Sequence, residues 1–279
     1  MKELDVAIIG DIAWNQDITT SGNKVSPGGS AYYSAVGAAR FSEKIGIVAK
    51  IGSDFDTALL TEKGIDIEGV RVIDGGTTCR FVITQHPDNT REFSAQRGVA
   101  GVVETEIFPD TYLSAKFIHL PTQLPEHALT WLDVLASHSH VSVDSFEEFV
   151  KEFPELTRQM FRKASLIFAN ETEFEIVREL GETSFDAPIV LKRGKDGASY
   201  IHGKEMIMVP APMTEPIDTT GAGDVLAGAF LALRAQGVSI ETALEQAVKT
   251  ASLSVTSFGV EHIVTGKRMH TFFKEGMNL

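Results

Sequence analysis

Asp218-Thr219-Thr220-Gly221-Ala222-Gly223-Asp224-Val225-Leu226-Ala227-Gly228-Ala229-Phe230 is the stretch on which the reading of the fold turns. Extended, apolar residues lead to Pro216-Ile217, a polar Asp-Thr-Thr turn follows, and two glycines open an Ala/Leu-rich run ending near Gly237. The pattern predicts a loop running into a helix N-terminus. Such a start carries unpaired N–H groups and the positive end of the helix dipole, and Gly221 and Gly223 remove side chains that would hold a phosphate away from the backbone. Asp224 admits two readings. A carboxylate in the first turn suits the dipole as a structural cap, and it also lies within one turn of the amides that would hold a leaving group, where a base is useful. Neither a Gly-x4-Gly-Lys-Ser/Thr loop nor a dinucleotide fingerprint is present, since a Gly-x-Gly-x-x-Gly begun at Gly221 would end on Leu226.

Around this stretch the chain alternates strands and helices. Asp5 to Gly10 is a short, continuously apolar run ending in glycine, as a buried parallel strand would be. Strands are predicted at 45–51, 70–73, 116–120, 140–144, 166–169 and 188–192, with helices at 32–41, 55–64, 125–137, 146–162, 171–180 and 240–256. That order implies a mostly parallel sheet covered on both faces. Two segments break it. Thr19 to Pro27 is rich in turn residues, and 77–85 and 91–96 flank Pro87-Asp88-Asn89-Thr90 as the arms of a hairpin.

Composition narrows the function. The chain of 279 residues is long enough for one large α/β domain or two small ones, and no repeat or linker divides it. With 25 Lys plus Arg against 38 Asp plus Glu, the net charge of −13 argues against non-specific nucleic-acid or membrane-surface binding, so an anionic ligand must meet a local positive site. No secretory or membrane-spanning segment is legible, and the single Cys79 fits a reducing cytoplasm, as a packed small residue rather than a reactive thiol. His138-Ser139-His140 has metal-binding spacing but no acidic or cysteine partner.

Four motifs carry a resemblance. Asp218-Thr-Thr-Gly-Ala-Gly-Asp224, Gly28-Gly29 opening a small-residue helix, Asn170-x-x-Glu173 at a strand end and Gly194-x-x-Gly197 stand in the order in which the ribokinase (PfkB) family of carbohydrate kinases carries them. The chain therefore resembles that family over nearly its whole length. The resemblance implies a ribokinase-like three-layer α/β/α domain spanning 1–279, with a mostly parallel central sheet and a small β lid contributed by residues of about 11–25 and 70–97. It implies ATP and Mg2+ as cofactors, a sugar or related polyol as acceptor, and a homodimer formed through the lid.

The same resemblance distributes roles. Gly221, Ala222 and Gly223 form the anion hole with Asp224, which acts as the base on the acceptor hydroxyl. Asn170 and Glu173 organise Mg2+ and the phosphates, although Asn before and Glu within the first turn would serve equally as a helix capping box. Lys192, Gly194, Gly197, Thr220, Ser254 and Gly259 fall on the nucleotide side, where Gly194-x-x-Gly197 would also serve as a simple hairpin turn. Asp218, Thr220 and Ser257 match a potassium-like site, and Asp144 is a further candidate at the same sheet edge. Asn15, Asp17, Gly28, Gly29 and Tyr33 fall on the acceptor side. Asn15 and Asp17 also read as solvated loop polars, and Tyr33 stands where the family signature has asparagine; Tyr32 or Tyr33 either faces the substrate or packs in the core. A nucleoside kinase would use the same catalytic half, with Trp14, Tyr32 or Tyr33 stacking on a base, and a non-catalytic sensor would need a broken anion hole.

Overall fold

The computed structural model describes residues 3–19, 22–85, 91–100, 104–138, 140–181 and 185–263. Its order is β1 (Val6–Ile9), β2 (Ala13–Thr19), β3 (Gly22–Gly28), α1 (Ser30–Ala39), β4 (Ile45–Gly52), α2 (Ala58–Thr61), β5 (Ile65–Ile73), β6 (Cys79–Gln85) and β7 (Arg91–Gln96). The second half runs β8 (Phe117–Leu120), α3 (Pro125–Val134), β9 (Val141–Asp144), α4 (Glu147–Glu152), α5 (Pro154–Lys163), β10 (Leu166–Asn170), α6 (Glu171–Glu179), β11 (Ile189–Lys192), β12 (Ala198–His202), β13 (Glu205–Val209), α7 (Ala222–Ala235) and α8 (Ile240–Ser254).

Nine strands form one sheet in the order β13-β12-β11-β10-β9-β8-β1-β4-β5. Pairing is parallel from β11 to β5 and antiparallel in β11-β12-β13. The side-chain period of two sends Val6 and Ile8 into a core shared with α1, α7 and α8, and Ala7 and Ile9 into a second core under α3, α5 and α6. Both faces of β1 are thus dry, which is why its sequence is apolar without alternation. Helices α1 and α7 meet backbone to backbone: a Cβ on Gly228 would lie 1.8 Å from the Ser34 carbonyl oxygen, and one on Gly37 would lie 2.3 Å from that of Val225. This contact sets the start of α7 over the carboxyl ends of the central strands.

The second sheet has four strands in the order β3-β2-β6-β7. Three details differ from the sequence reading. Residues 19–27, read as turn-rich within the lid segment 11–25, include most of a strand, Gly22–Gly28, paired throughout with β2 from Ala13 opposite Gly28 to Thr19 opposite Gly22. Pro27 is tolerated because β3 is an edge strand, where a missing N–H leaves no ladder bond unmade. Residues 70–73, read both as a strand of the alternation and as the start of the lid segment 70–97, are the former: they complete β5 and pair with β4 in the large sheet, so the second arm of the small sheet begins at Cys79. The helix expected over 55–64 is only Ala58–Thr61. The turn 87–90 and Ser139 lie outside the described residues.

Candidate active site

Strands β9, β10 and β11 end side by side, with Phe168 opposite Asp144 and Asn170 opposite Lys192. Their carboxyl ends deliver Asp144, Asn170 and Lys192 to one place, as open α/β sheets do at ligand sites. Lys192 Nζ lies 2.5 Å from Asp144 Oδ1, and the Asp144 side chain is fully buried. Burial raises the Asp144 pKa to about 6, opposed by Lys192 and reinforced by Glu173. Burial also works against the Lys192 charge, yet Asp144, Glu173 and Asp224 together hold its pKa above the ordinary value.

The helix start faces this group. Gly221 is in the left-handed conformation at φ 74°, and α7 follows directly. The Ala222 N–H turns back to Thr219 O at 3.3 Å, while the amides of Gly221, Gly223 and Asp224 have no hydrogen-bond acceptor among the described residues. Those three unpaired donors, more than Ala222, are the groups with which this helix start could hold an anion. A Cβ on Gly223 would sit 3.2 Å from Lys192 Nζ, so the lysine lies over the same helix turn. Gly223 itself lies inside α7 and is absent from the positive-φ glycines, so the left-handed turn belongs to Gly221 alone.

Asp224 follows one position on. Its Oδ1 is shut off from solvent and has no hydrogen-bond partner among the described residues. Burial raises its pKa well above the ordinary carboxylate value; Asp144 and Glu173 add to the effect and Lys192 opposes it. A carboxylate that is desolvated and unpartnered is poised to take a proton. An ordinary cap would instead bond the helix amides, and Asp224 Oδ1 bonds none.

Asn170 and Glu173 form a complete capping box. Asn170 Oδ1 accepts from the Glu173 N–H at 2.8 Å, and Glu173 accepts from the Asn170 N–H, the Asn170 Nδ2 and the Ser145 Oγ, each at 2.8 Å. The cap therefore exists, and it holds a carboxylate at the cleft wall. Asp144 Oδ2 and Asp224 Oδ1 are the buried carboxylate oxygens left without partners nearby. These oxygens suit a hard divalent cation that arrives with phosphates and water, since no preassembled cluster of His, Cys, Asp or Glu exists among the described residues.

A cavity of about 690 Å³ joins these groups to the small sheet. Asn15, Gly29, Tyr33, Asn170, Glu173, Lys192, Thr220, Gly221, Gly223 and Asp224 line it, whereas Asp17, Gly28, Gly194, Gly197, Ala222, Asp218, Ser254, Ser257 and Gly259 do not. Gly28 instead packs on Asn15, and a Cβ on Gly197 would meet the Val209 carbonyl oxygen at 1.9 Å, so both glycines relieve crowding. A Cβ on Gly194 would meet nothing within 4 Å, leaving that turn open to approach. Asp218 accepts from the Thr220 N–H at 2.9 Å and the Gly259 N–H at 3.4 Å, which draws the 257–259 turn against it. The Ser254 hydroxyl is spent inside α8 on Ala251 O at 2.8 Å.

The cavity is also lined by residues that the sequence analysis assigned no role in the site: Asp11, Lys50, Arg97 and His127. Burial raises the Asp11 pKa, against the pull of His127, Arg97 and Lys50. The available signal was the position of Asp11 directly after the strand-end glycine of β1; the other three come from distant elements. The lid was expected to present polar groups here. Its cleft face carries Asn15 of β2 but is otherwise Cys79, Phe81, Ile83 and Ala95, with Arg97 at the margin, because alternate residues of a strand share one face. Burial pushes the Cys79 thiol up to about 12, in keeping with a packed, unreactive side chain. Trp14 packs on Phe55 at 5.1 Å between ring centroids and Tyr32 is wholly buried, so neither reaches the cavity. His138 donates from Nε2 to Ala115 O and accepts at Nδ1 from the His140 N–H, which spends both ring nitrogens on local backbone.

A family model described as pfkB family carbohydrate kinase matches residues 6–265. The chain belongs to the pfkB family. The cytidine kinase of Thermococcus kodakarensis is 30% identical over 274 residues, covering 92% of this chain and 98% of that protein. A nucleoside kinase of Methanocaldococcus jannaschii, described as an archaeal member of the ribokinase family, superposes with a TM-score of 0.84 at 20% identity, covering 99% of this chain and 100% of the other. A ribokinase II from E. coli, solved with ATP and Mg2+, superposes with a TM-score of 0.78 at 20% identity, covering 99% and 100%. The three-layer architecture with its large, mostly parallel sheet is that of these pfkB relatives.

Proposed function

We propose that the protein is a kinase that moves the γ-phosphate of ATP to a hydroxyl of a sugar or related polyol. The observation that carries this reading is the left-handed Gly221 turn with unpaired amides opening α7, and Asp224 one turn in, desolvated and without a partner. In the reaction the acceptor O–H lies between Asp224 and the γ-phosphorus. The acceptor oxygen forms its bond to phosphorus, the bond to the β-phosphate bridging oxygen breaks, ADP leaves, and the acceptor proton passes to the Asp224 carboxylate. An alcohol is far less acidic than a carboxylic acid, so the proton moves late, as a loose phosphoryl transition state allows. The raised pKa of Asp224 narrows that gap.

The amides at 221, 223 and 224 and the Lys192 ammonium stabilise charge on the phosphates. Mg2+, held through Glu173, Asn170, Asp144 and water, would neutralise phosphate charge when bound. A monovalent cation such as K+ beside Asp218, Thr220 and Ser257 is a further part of this reading, supported by the closeness of Asp218 to the 257–259 turn. The pair of open edges on the small sheet, β3 and β7, supports a homodimer formed there. A single buried thiol suits a cytoplasmic enzyme, and no helix among the described residues is long and apolar enough to cross a membrane.

A specific observation favours a nucleoside as the form in which the sugar arrives. Phe81, Ile83, Ala95, Phe146 and Phe149 give the cavity apolar surface for a flat base, beside the polar Asn15, Asp11, Lys50, Arg97 and His127 that could meet sugar hydroxyls. Kinship with a cytidine kinase points the same way. The test is a phosphate-transfer screen of the purified protein with MgATP against sugars, inositols and nucleosides. Transfer to at least one hydroxyl acceptor is expected, and none across the screen, with ATP bound, would favour a sensor.

A further inference from the structure

Tyr33 links the two halves of the cavity through a single side chain. It sits in the first turn of α1, its N–H bonded to Gly29 O at 3.0 Å, and it is 2% exposed. Its hydroxyl accepts a hydrogen bond from Asn15 Nδ2 at 2.6 Å, on β2 of the small sheet. Its ring lies against the anion-hole turn, where a Cβ on Gly221 would fall 2.2 Å from Cδ2 and 2.4 Å from Cγ. The ring is clamped from behind by an edge-on contact with Tyr32, 6.2 Å between centroids, and Tyr32 donates to Glu261 Oε1 at 2.5 Å.

Each contact has a consequence. With its amide nitrogen committed to Tyr33 and its body pressed on Gly28, Asn15 keeps Oδ1 buried, unpartnered and at the cavity wall. A buried acceptor without a donor costs free energy until a ligand supplies one. The ring, in turn, closes the space into which the Gly221 turn would otherwise relax. We infer that Tyr33 is a positioning residue with two separable actions: its hydroxyl aims Asn15 Oδ1 at a hydroxyl of the acceptor, and its ring holds the Gly221 turn so that the neighbouring amides stay directed at phosphate.

This inference rests on the kinase reading, and the experiment separates the two. Tyr33→Phe removes the hydroxyl alone; Tyr33→Leu removes the aromatic ring as well. MgAMP-PNP affinity is measured by calorimetry, and steady-state kinetics use MgATP with cytidine and with D-ribose. Tyr33→Phe is expected to raise the acceptor KM roughly tenfold while kcat stays within about threefold and MgAMP-PNP affinity is retained. Asn15→Ala should give a similar KM rise, and the double variant should add little to either single change. Tyr33→Leu should weaken MgAMP-PNP about fivefold or more and lower kcat at least tenfold, with Tyr33→Phe restoring both. Wild-type protein that binds no MgAMP-PNP would sink the kinase reading itself. Wild type and Tyr33→Leu binding it equally, or Tyr33→Phe leaving the acceptor KM unchanged, would overturn the inference alone; should Tyr33→Leu fail to fold, the Tyr33→Phe kinetics decide.

Discussion

At the end of the cavity that the proposed function gives to phosphate, the groups come from consecutive residues: Gly221, Gly223 and Asp224 open one helix, and beside them Asp144, Asn170 and Lys192 stand at the ends of three adjacent strands. The residues that the proposed function gives to the acceptor are gathered from across the chain, with Asp11 after β1, Lys50 on β4, Phe81 on β6, Arg97 after β7 and His127 on α3. The first end is made largely by backbone, whose donors are the same whatever the side chains, and by one left-handed turn. The second is made by side chains whose meeting depends on how two sheets lie together. A backbone site should fail through conformational changes, and a side-chain site through loss of individual contacts.

The largest expected effect is at Asp224. Asp224→Asn should lower kcat by roughly two orders of magnitude or more while MgATP affinity stays close to normal. It should also raise the melting temperature at neutral pH. The native pKa of Asp224 lies above the unfolded value, so the native state binds the extra proton and loses stability as pH rises between the two values; asparagine removes that loss. In the wild type, the acidic limb of the kcat profile should lie above the ordinary carboxylate range. Unchanged turnover in the variant would remove Asp224 from the chemistry.

Gly221→Ala comes next. A side chain at φ 74° is disfavoured by about 1–2 kcal/mol, and the Tyr33 ring occupies its space. Turnover should fall roughly tenfold to a hundredfold. Gly223→Ala, whose Cβ meets only the flexible end of Lys192 at 3.2 Å, should be clearly milder, and equal damage from both would mean that the turn is not what aims the amides.

Lys192→Met leaves Asp144 buried without its cation. Destabilisation of about 3–5 kcal/mol is expected at neutral pH, because removing one partner of a buried pair leaves the other desolvated. Asp144 titrates at about 6 with the lysine present and higher without it, so protonation relieves the variant as pH falls. Denaturant midpoints that differed between variant and wild type by the same amount at pH 5 and pH 8 would contradict the pairing.

The smallest effect is at Glu173. Glu173→Gln disturbs a capping box and should cost about 1 kcal/mol in stability. If Glu173 also organises Mg2+, the Mg2+ concentration for half-maximal rate should rise several-fold as well. A lower melting temperature with unchanged Mg2+ dependence would leave the cap as its whole role.

From the sequence alone, the parallel sheet and the glycine-opened helix start that carries Asp224 were legible, because each rests on local chemistry. Continuous apolar runs mark strands buried on both faces, glycines mark a left-handed or crowded backbone, and a carboxylate one turn into a helix is visible as text. Asn170 and Glu173 were legible as a pair but not as cap or ligand, since the same hydrogen-bonding groups serve both. What only the tertiary structure decided lies between elements. Residues 22–28 became a strand because β2 supplied a partner, β5 drew 70–73 into the large sheet, and Asp11, Lys50, Arg97 and His127 met only when the small sheet and the β1–α1 corner came together. The Tyr33 ring reached Gly221 through the close crossing of α1 and α7. Contacts across such distances depend on strand order and helix packing, which no window of sequence contains, whereas a helix start presents its unpaired amides wherever it is placed.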